Sequence, residues 1–298
     1  MKIRAFLDKH SVLVFLLPYL VLFCLFIVIP SIASVALSFT DFNTIELPRF
    51  VGLKNYISLL TNDTIFTRNV LPNTLIYALF VGVDGYVLSF FMAWSLSQLT
   101  KTPRTILTVI LYSPSMTGGV LLSTVWGVMF NGEKTGWLNY LLLKLQVIDE
   151  PVVWLQSEKY LMPIMILVAL WGCMGVGFLS ILSGLLNINS EIYEAGYIDG
   201  IKNRFQEIVY ITIPSIKPQM LFGAIMAIVG TFNSAGTGVA LTGTNPTPNY
   251  AGQLIVNHID DYGFIRHEMG YAAAVSVVVL LGVFLLTKAV GKLFVSDD

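Results

Sequence analysis

Charge is what this sequence has least of. Asp, Glu, Lys and Arg make up 12% of its 298 residues, where soluble domains carry about 25%. Half of the usual solubilising charge is missing, which excludes an ordinary water-soluble domain. The net charge of −1 leaves no basic field for nucleic acid, and no RNA- or DNA-binding motif occurs, so no nucleic acid partner is expected. Cysteine is nearly absent: Cys24 and Cys173 both sit inside apolar stretches and read as small packed hydrophobes rather than a disulfide or metal pair. His10, His258 and His267 show no metal-ligand spacing, and no nucleophile–base arrangement is visible. Neither a catalytic residue nor a metal ligand is therefore expected. The phosphate-binding pattern G-x-x-x-x-G-K-[ST] is missing too, so no nucleotide cofactor is expected on this chain.

What is there instead is a set of long apolar runs. Residues 11–40, 105–132, 160–190, 218–257 and 269–287 hold no Asp, Glu, Lys, Arg or His, and a sixth run between Arg68 and Lys101 is broken only by Asp84. A bilayer core needs about 20 apolar residues as helix. Lipid cannot satisfy backbone polar groups, so such runs must be helical. The spacing predicts an all-α membrane protein with six transmembrane helices over 12–38, 74–99, 105–130, 160–186, 219–241 and 270–291. The first run is far longer than the 7–15-residue core of a signal peptide, so it is read as an uncleaved first helix. Six spans put both termini on one side. With the N-terminus in the cytoplasm, ten Lys and Arg fall inside and seven outside, the bias that the positive-inside rule favours.

The predicted outer loops, 39–72, 131–159 and 242–269, are long and rich in aromatic, Pro and Asn residues. Inside, residues 187–217 stand apart. They form a charged connection of about thirty residues in a chain otherwise sparing on that side, a length that suggests a docking role. Asn189 or Ser190 can cap a helix here, with Glu191 and Glu194 near its positive end. Ala195 and Gly196 are small enough to let another surface approach closely. Gly200 can end the helix with positive φ, and Pro214 marks entry to the next segment.

That loop reads Glu194-Ala195-Gly196-Tyr197-Ile198-Asp199-Gly200, then Tyr210-Ile211-Thr212-Ile213-Pro214. It closely resembles the EAA loop of ABC importer permeases, E-A-A-x3-G-x9-I-x-L-P, above all the carbohydrate branch. Gly196 stands for the usual second Ala and Ile213 for Leu. The stretch from Gly200 to Pro214 is one residue longer than the family pattern, which bears on the turn around Lys202-Asn203-Arg204. Further segments are similar to sugar permeases in the same order. They include Ser38-Phe39-Thr40-Asp41-Phe42-Asn43, Phe50 to Tyr56, Asn73-Thr74, Trp126 to Phe130, Gly136-Trp137-Leu138-Asn139, Leu241 to Pro246 and Gly270 to Ala274.

The resemblance implies a type I ABC importer permease fold in the bacterial inner (plasma) membrane. It divides the chain into 1–72, holding the first helix and an external loop, and 73–294, the transmembrane domain with the EAA loop at 187–217. Glu194, Ala195, Gly196, Asp199 and Gly200 would form a coupling helix seated in a cytoplasmic ABC ATPase dimer, which uses ATP and Mg. The other implied partners are a second homologous permease subunit, an external solute-binding protein, a carbohydrate substrate and membrane lipid.

For the substrate pathway the candidates are Phe232, Asn233, Ser234 and Thr237 in the fifth predicted helix, joined by Trp171 in the fourth. Thr231, Ser234 and Thr237 would share a helical face. Sugars need neutral hydrogen-bonding groups and a ring to stack on, and neither helix holds a charge. The same residues also suit helix-to-helix packing. Asp84 is the one intramembrane acid. It fits either an ion or proton site, as in a secondary carrier, or a structural hydrogen bond inside the bundle. Without a Lys, Arg or His in the other spans it would make a poor relay.

Overall fold

The computed structural model describes residues 11–117, 119–233 and 236–294. Fourteen helices are distinguished among these residues, and the one strand-like pairing is an isolated antiparallel bridge between Thr40 and Phe50. The helices divide between two compact units. The first takes residues up to 62 together with 259–279, and the second takes 63–258 and the chain from 280 onward.

In the first unit, α1 (11–37) is the leading apolar run. At its end Asn55 of α2 (Lys54–Thr61) donates to the carbonyls of Ser38 and Thr40 at 2.9 and 2.8 Å. Ser38 and Tyr56 share a hydrogen bond of 2.7 Å. The predicted loop 39–72 is thus partly helical, pinned by buried polar groups that must find partners once away from water.

The second unit begins at Asp63, whose carboxylate accepts from the Phe66 amide at 2.8 Å and caps α3 (64–97). Its other oxygen meets the buried His258 ring at 2.9 Å. Next come α4 (Lys101–Met116) and α5 (Gly119–Met129), separated at the extended Thr117. The predicted third span is therefore two helices. Asn139 in α6 (Trp137–Lys144) is fully buried, and its amide ties together Asn131, Glu133, Val152 and Trp154 of the neighbouring loops.

One further expectation needs correction. The fourth predicted span breaks into α7 (Leu161–Trp171) and α8 (Val176–Leu186), bent by 43°. The fifth is described as α11 (Lys217–Asn233) and α12 (Thr237–Thr242), residues 234 and 235 lying outside the described residues. Before α11 lie α9 (Ser190–Ile198) and α10 (Arg204–Ser215), the latter bent 85° against α11. The chain closes with α13 (255–265) and α14 (Met269–Phe294). Three helices, Leu16–Leu37, Phe66–Ser97 and Met269–Phe294, are long and apolar enough to cross a membrane unbroken, and the two bent pairs bring the number to five.

Proline explains part of this geometry. Pro30, Pro72 and Pro214 each follow a π-helical run by two residues, namely Cys24–Val28, Phe66–Val70 and Ile208–Thr212. A proline ring clashes with the carbonyl four residues earlier and lacks an amide hydrogen. In all three cases that carbonyl lies inside the widened turn, which gives it room without ending the helix.

Candidate functional site

Two places in the second unit carry chemistry. The first is the α9–α10 loop. Asn189 is the observed cap of α9, accepting from the Glu191 amide at 3.1 Å. At the other end Gly200 has φ of +104°, a conformation that a side chain makes costly. Its amide bonds the Tyr197 carbonyl at 3.3 Å, and the Ile201 amide bonds the Gly196 carbonyl at 3.0 Å. These are the paired bonds of a Schellman ending.

Gly196 is small for a reason internal to the chain. A methyl built there would lie 2.5 Å from Cδ1 of Ile211 in α10 and 3.1 Å from that of Ile201. The expectation that Gly196 opens the backbone to a foreign surface is thus corrected, because the chain's own α10 fills that space. Glu194, Ala195, Asp199 and Gly200 are exposed.

A clamp that sequence reasoning missed holds the loop. Glu207 is 3% exposed, and both its oxygens accept from Arg204, at 2.9 and 2.8 Å. Tyr197 donates to the same carboxylate at 2.5 Å. That bond, more than any other influence, pushes the Tyr197 hydroxyl pKa above its ordinary value. The turn carrying the extra residue is also tied. Asn203 caps α10 by accepting from Gln206 at 2.9 Å, and the Gln206 side chain accepts from the Lys202 amide at 2.9 Å. The Arg-x-x-Glu spacing of 204 and 207 was the available signal. Beside this rigid core, Ile198 and Phe205 are 86% and 74% exposed.

The second place is a cavity of about 390 Å³ among α3, α4, α7, α8 and α11. Its wall includes Tyr86, Ser89, Ser115, Gly172, Gly175 and Thr231, and it contains no charged residue. The break between α7 and α8 supplies Gly172, Cys173 and Gly175 to that wall, and a cavity wall is where non-helical backbone is tolerated at membrane depth. On its floor α8 and α11 approach closely, since a methyl on Gly177 would sit 3.1 Å from the Gly223 backbone.

Of the predicted pathway residues, Trp171, Phe232 and Thr237 are not among the described lining residues. Trp171 ends α7, 47% exposed, edge-on to Trp126 with ring centroids 5.6 Å apart. Phe232 and Thr237 are partly buried and are not among the lining residues. Asn233 ends α11, its side chain lying outside the description, and Ser234 lies outside the described residues. Asp84 is exposed on the surface of the chain, which corrects the reading of a hydrogen bond inside the bundle.

Apolar spans, a neutral cavity at a helix break and a polar loop with exposed Ile198 and Phe205 suit a membrane transport subunit. Residues 85–294 match the family model described as binding-protein-dependent transport system inner membrane component, and the chain belongs to that family. It is 30% identical to the arabinooligosaccharides transport system permease protein AraP of Bacillus subtilis (strain 168), over 94% of this chain and 87% of that protein. To the probable ABC transporter permease protein YesP of the same organism it is 32% identical, over 96% and 90%. The lactose transport system permease protein LacF of Rhizobium radiobacter is 28% identical, over 92% and 90%. In fold it matches a bacterial ABC transporter involved in the import of the acidic polysaccharide alginate, with a TM-score of 0.79 and 20% identity over 99% and 98% of the two chains. A second structure, of a bacterial alginate ABC transporter in complex with alginate pentasaccharide-bound periplasmic protein, gives 0.76 and 21% over 96% of each. The protein is thus a multi-pass permease component of an ABC importer.

Proposed function

We propose that this permease carries a neutral sugar or short oligosaccharide delivered by an external solute-binding protein. It works beside a second permease subunit, driven by a cytoplasmic ABC ATPase dimer that hydrolyses MgATP. The observation that carries the reading is the α9–α10 loop, a clamped helix ending in a Schellman turn that presents Ile198 and Phe205 to solvent. An apolar tip on a rigid polar base suits a protein cleft better than water. Glu194, Ala195, Asp199 and Gly200 lie beside that tip as docking residues, with Gly196 keeping α9 against α10.

Cargo follows from chemistry. A cavity with hydroxyl groups and no charged side chain suits a neutral solute, and Trp171 offers a half-exposed ring close to the helix break. Phe232, Asn233, Ser234 and Thr237 would complete the route. Relatives named for arabinooligosaccharides and lactose support a carbohydrate. The orientation that serves this scheme keeps both termini and residues 187–217 in the cytoplasm. A secondary carrier built on Asp84 is not favoured, because that residue is not among those lining the cavity.

The test is reconstitution of the chain with its co-expressed permease and ATPase in proteoliposomes. Sugar uptake should require MgATP inside and the binding protein outside. Uptake by this chain alone, driven by an ion gradient, would overturn the proposal.

A further inference from the structure

The long helix α3 has two unlike faces. Its inner face meets the rest of the second unit. A methyl built on Gly82 would sit 3.2 Å from Thr231 Oγ1, and one on Gly85 would sit 3.2 Å from Cys173 Cβ. Its outer face shows Leu79, Phe80, Val83 and Val87 exposed by 57%, 43%, 52% and 43%. Among these apolar side chains, close to the middle of the Phe66–Ser97 span, stands Asp84, also exposed. Among the described residues it has no hydrogen-bond or ion-pair partner. It closes a seven-residue π-helical run, Ala78–Asp84, and the next residue, Gly85, is buried. Such insertions often mark functional positions.

A carboxylate at this depth is costly against lipid, and intramembrane acids almost always face a partner or a cavity. The chain's own cavity is lined by Val81, Gly85, Tyr86 and Ser89 of the same helix, without Asp84. We infer that Asp84 marks the face of this chain that packs against the second permease subunit, where a hydrogen-bond-donating or cationic side chain of that subunit meets the carboxylate within the membrane. The inference rests on the proposed pairing with a second permease and deepens it, because it names the contact. Leu79, Phe80, Val83 and Val87 supply the apolar surround that excludes lipid and water from the polar pair. The Asp84 carboxylate fixes which face of α3 the partner meets, as isolated polar residues do between membrane helices.

The experiment places a photo-reactive benzoylphenylalanine at position 84 in the complete complex in native membranes, alongside Asp84→Asn and Asp84→Leu. The expected result is a cross-link from position 84 to the second permease. Co-purification of that subunit should fall about threefold to tenfold in Asp84→Leu, with Asp84→Asn between this and the wild type. Asp84→Leu expressed alone should insert at least as well as the wild type, because the exposed acid is then simply removed. A cross-link only to lipid, together with wild-type assembly of Asp84→Leu, would overturn the inference and leave the acid as a lipid-facing residue. So would a cross-link to added sugar, which would move Asp84 to the pathway. If the wild-type chain co-purifies the ATPase but no second permease, the underlying pairing fails, a result distinct from either of these.

Discussion

Tyr197 donates a hydrogen bond of 2.5 Å to Glu207, across the turn that joins α9 to α10. Glu207 is buried and also holds Arg204 in a two-pronged contact. A partner docked on α9, as proposed, would thereby move α10 through side chains and not only through the 201–203 connection.

Glu207→Ala should loosen this link. A buried hydrogen-bonded charge is lost and the Tyr197 and Arg204 donors lose their acceptor, so amide exchange across 190–207 should rise by about tenfold. ATP-driven uptake per assembled complex should fall while membrane insertion persists. Unchanged exchange would remove the clamp from the account. The Tyr197 bond should not make the loop pH-sensitive near neutrality. A raised hydroxyl pKa means its stabilising contribution is fully present below the ordinary tyrosine value of about 10. It is lost only as pH climbs through the higher folded value.

The two glycines of the loop should behave oppositely. Gly196→Ala meets the far ends of Ile211 and Ile201, flexible side chains that can rotate aside, and alanine favours helix by about 1 kcal/mol. Assembly and uptake should match the wild type. Gly200→Val forces a β-branched residue into φ of +104° and should cost about 1–3 kcal/mol, misplacing the turn and abolishing most uptake. The check is uptake normalised to complex recovered. Equal activity in both variants would show that the Schellman ending is dispensable.

Pro214 should matter through backbone geometry. In Pro214→Ala the Ile208–Thr212 turn no longer has to avoid the proline ring, and α10 should gain roughly 1–3 kcal/mol as regular helix. Exchange across 208–216 should slow while uptake per ATP hydrolysed falls, because α10 enters the bend to α11 at a different phase. Wild-type coupling would show that the widened turn is incidental.

The parts of this design legible in sequence are those governed by local chemistry. Asn189 at the start of α9 and Gly200 at its end were both readable, because capping and positive φ depend on single residue types. The break at 172–175 was not, since apolar residues continue through it; hydropathy reports depth, not whether the backbone stays helical. Gly172 and Gly175 were the hints. Asp84 was read as a hydrogen bond inside the bundle or an ion site, and its exposure on the outer side of α3 was not legible, because a lone acid in an apolar run does not say which side of the helix the fold buries. Glu207 looked like one of several solvated loop charges; its burial depends on Tyr197, ten residues earlier, packing across the turn.

The most direct measurement of the central claim concerns the tip of α9. Cysteine is placed at Ile198 in a complex whose Cys24 and Cys173 are replaced by alanine, and a short thiol-directed cross-linker is added to inverted and to right-side-out vesicles. Residue 198 should cross-link to the ATPase subunit and be labelled only when the cytoplasmic face is accessible. Free labelling of residue 198 from the outside of right-side-out vesicles, with no ATPase adduct, would contradict the account.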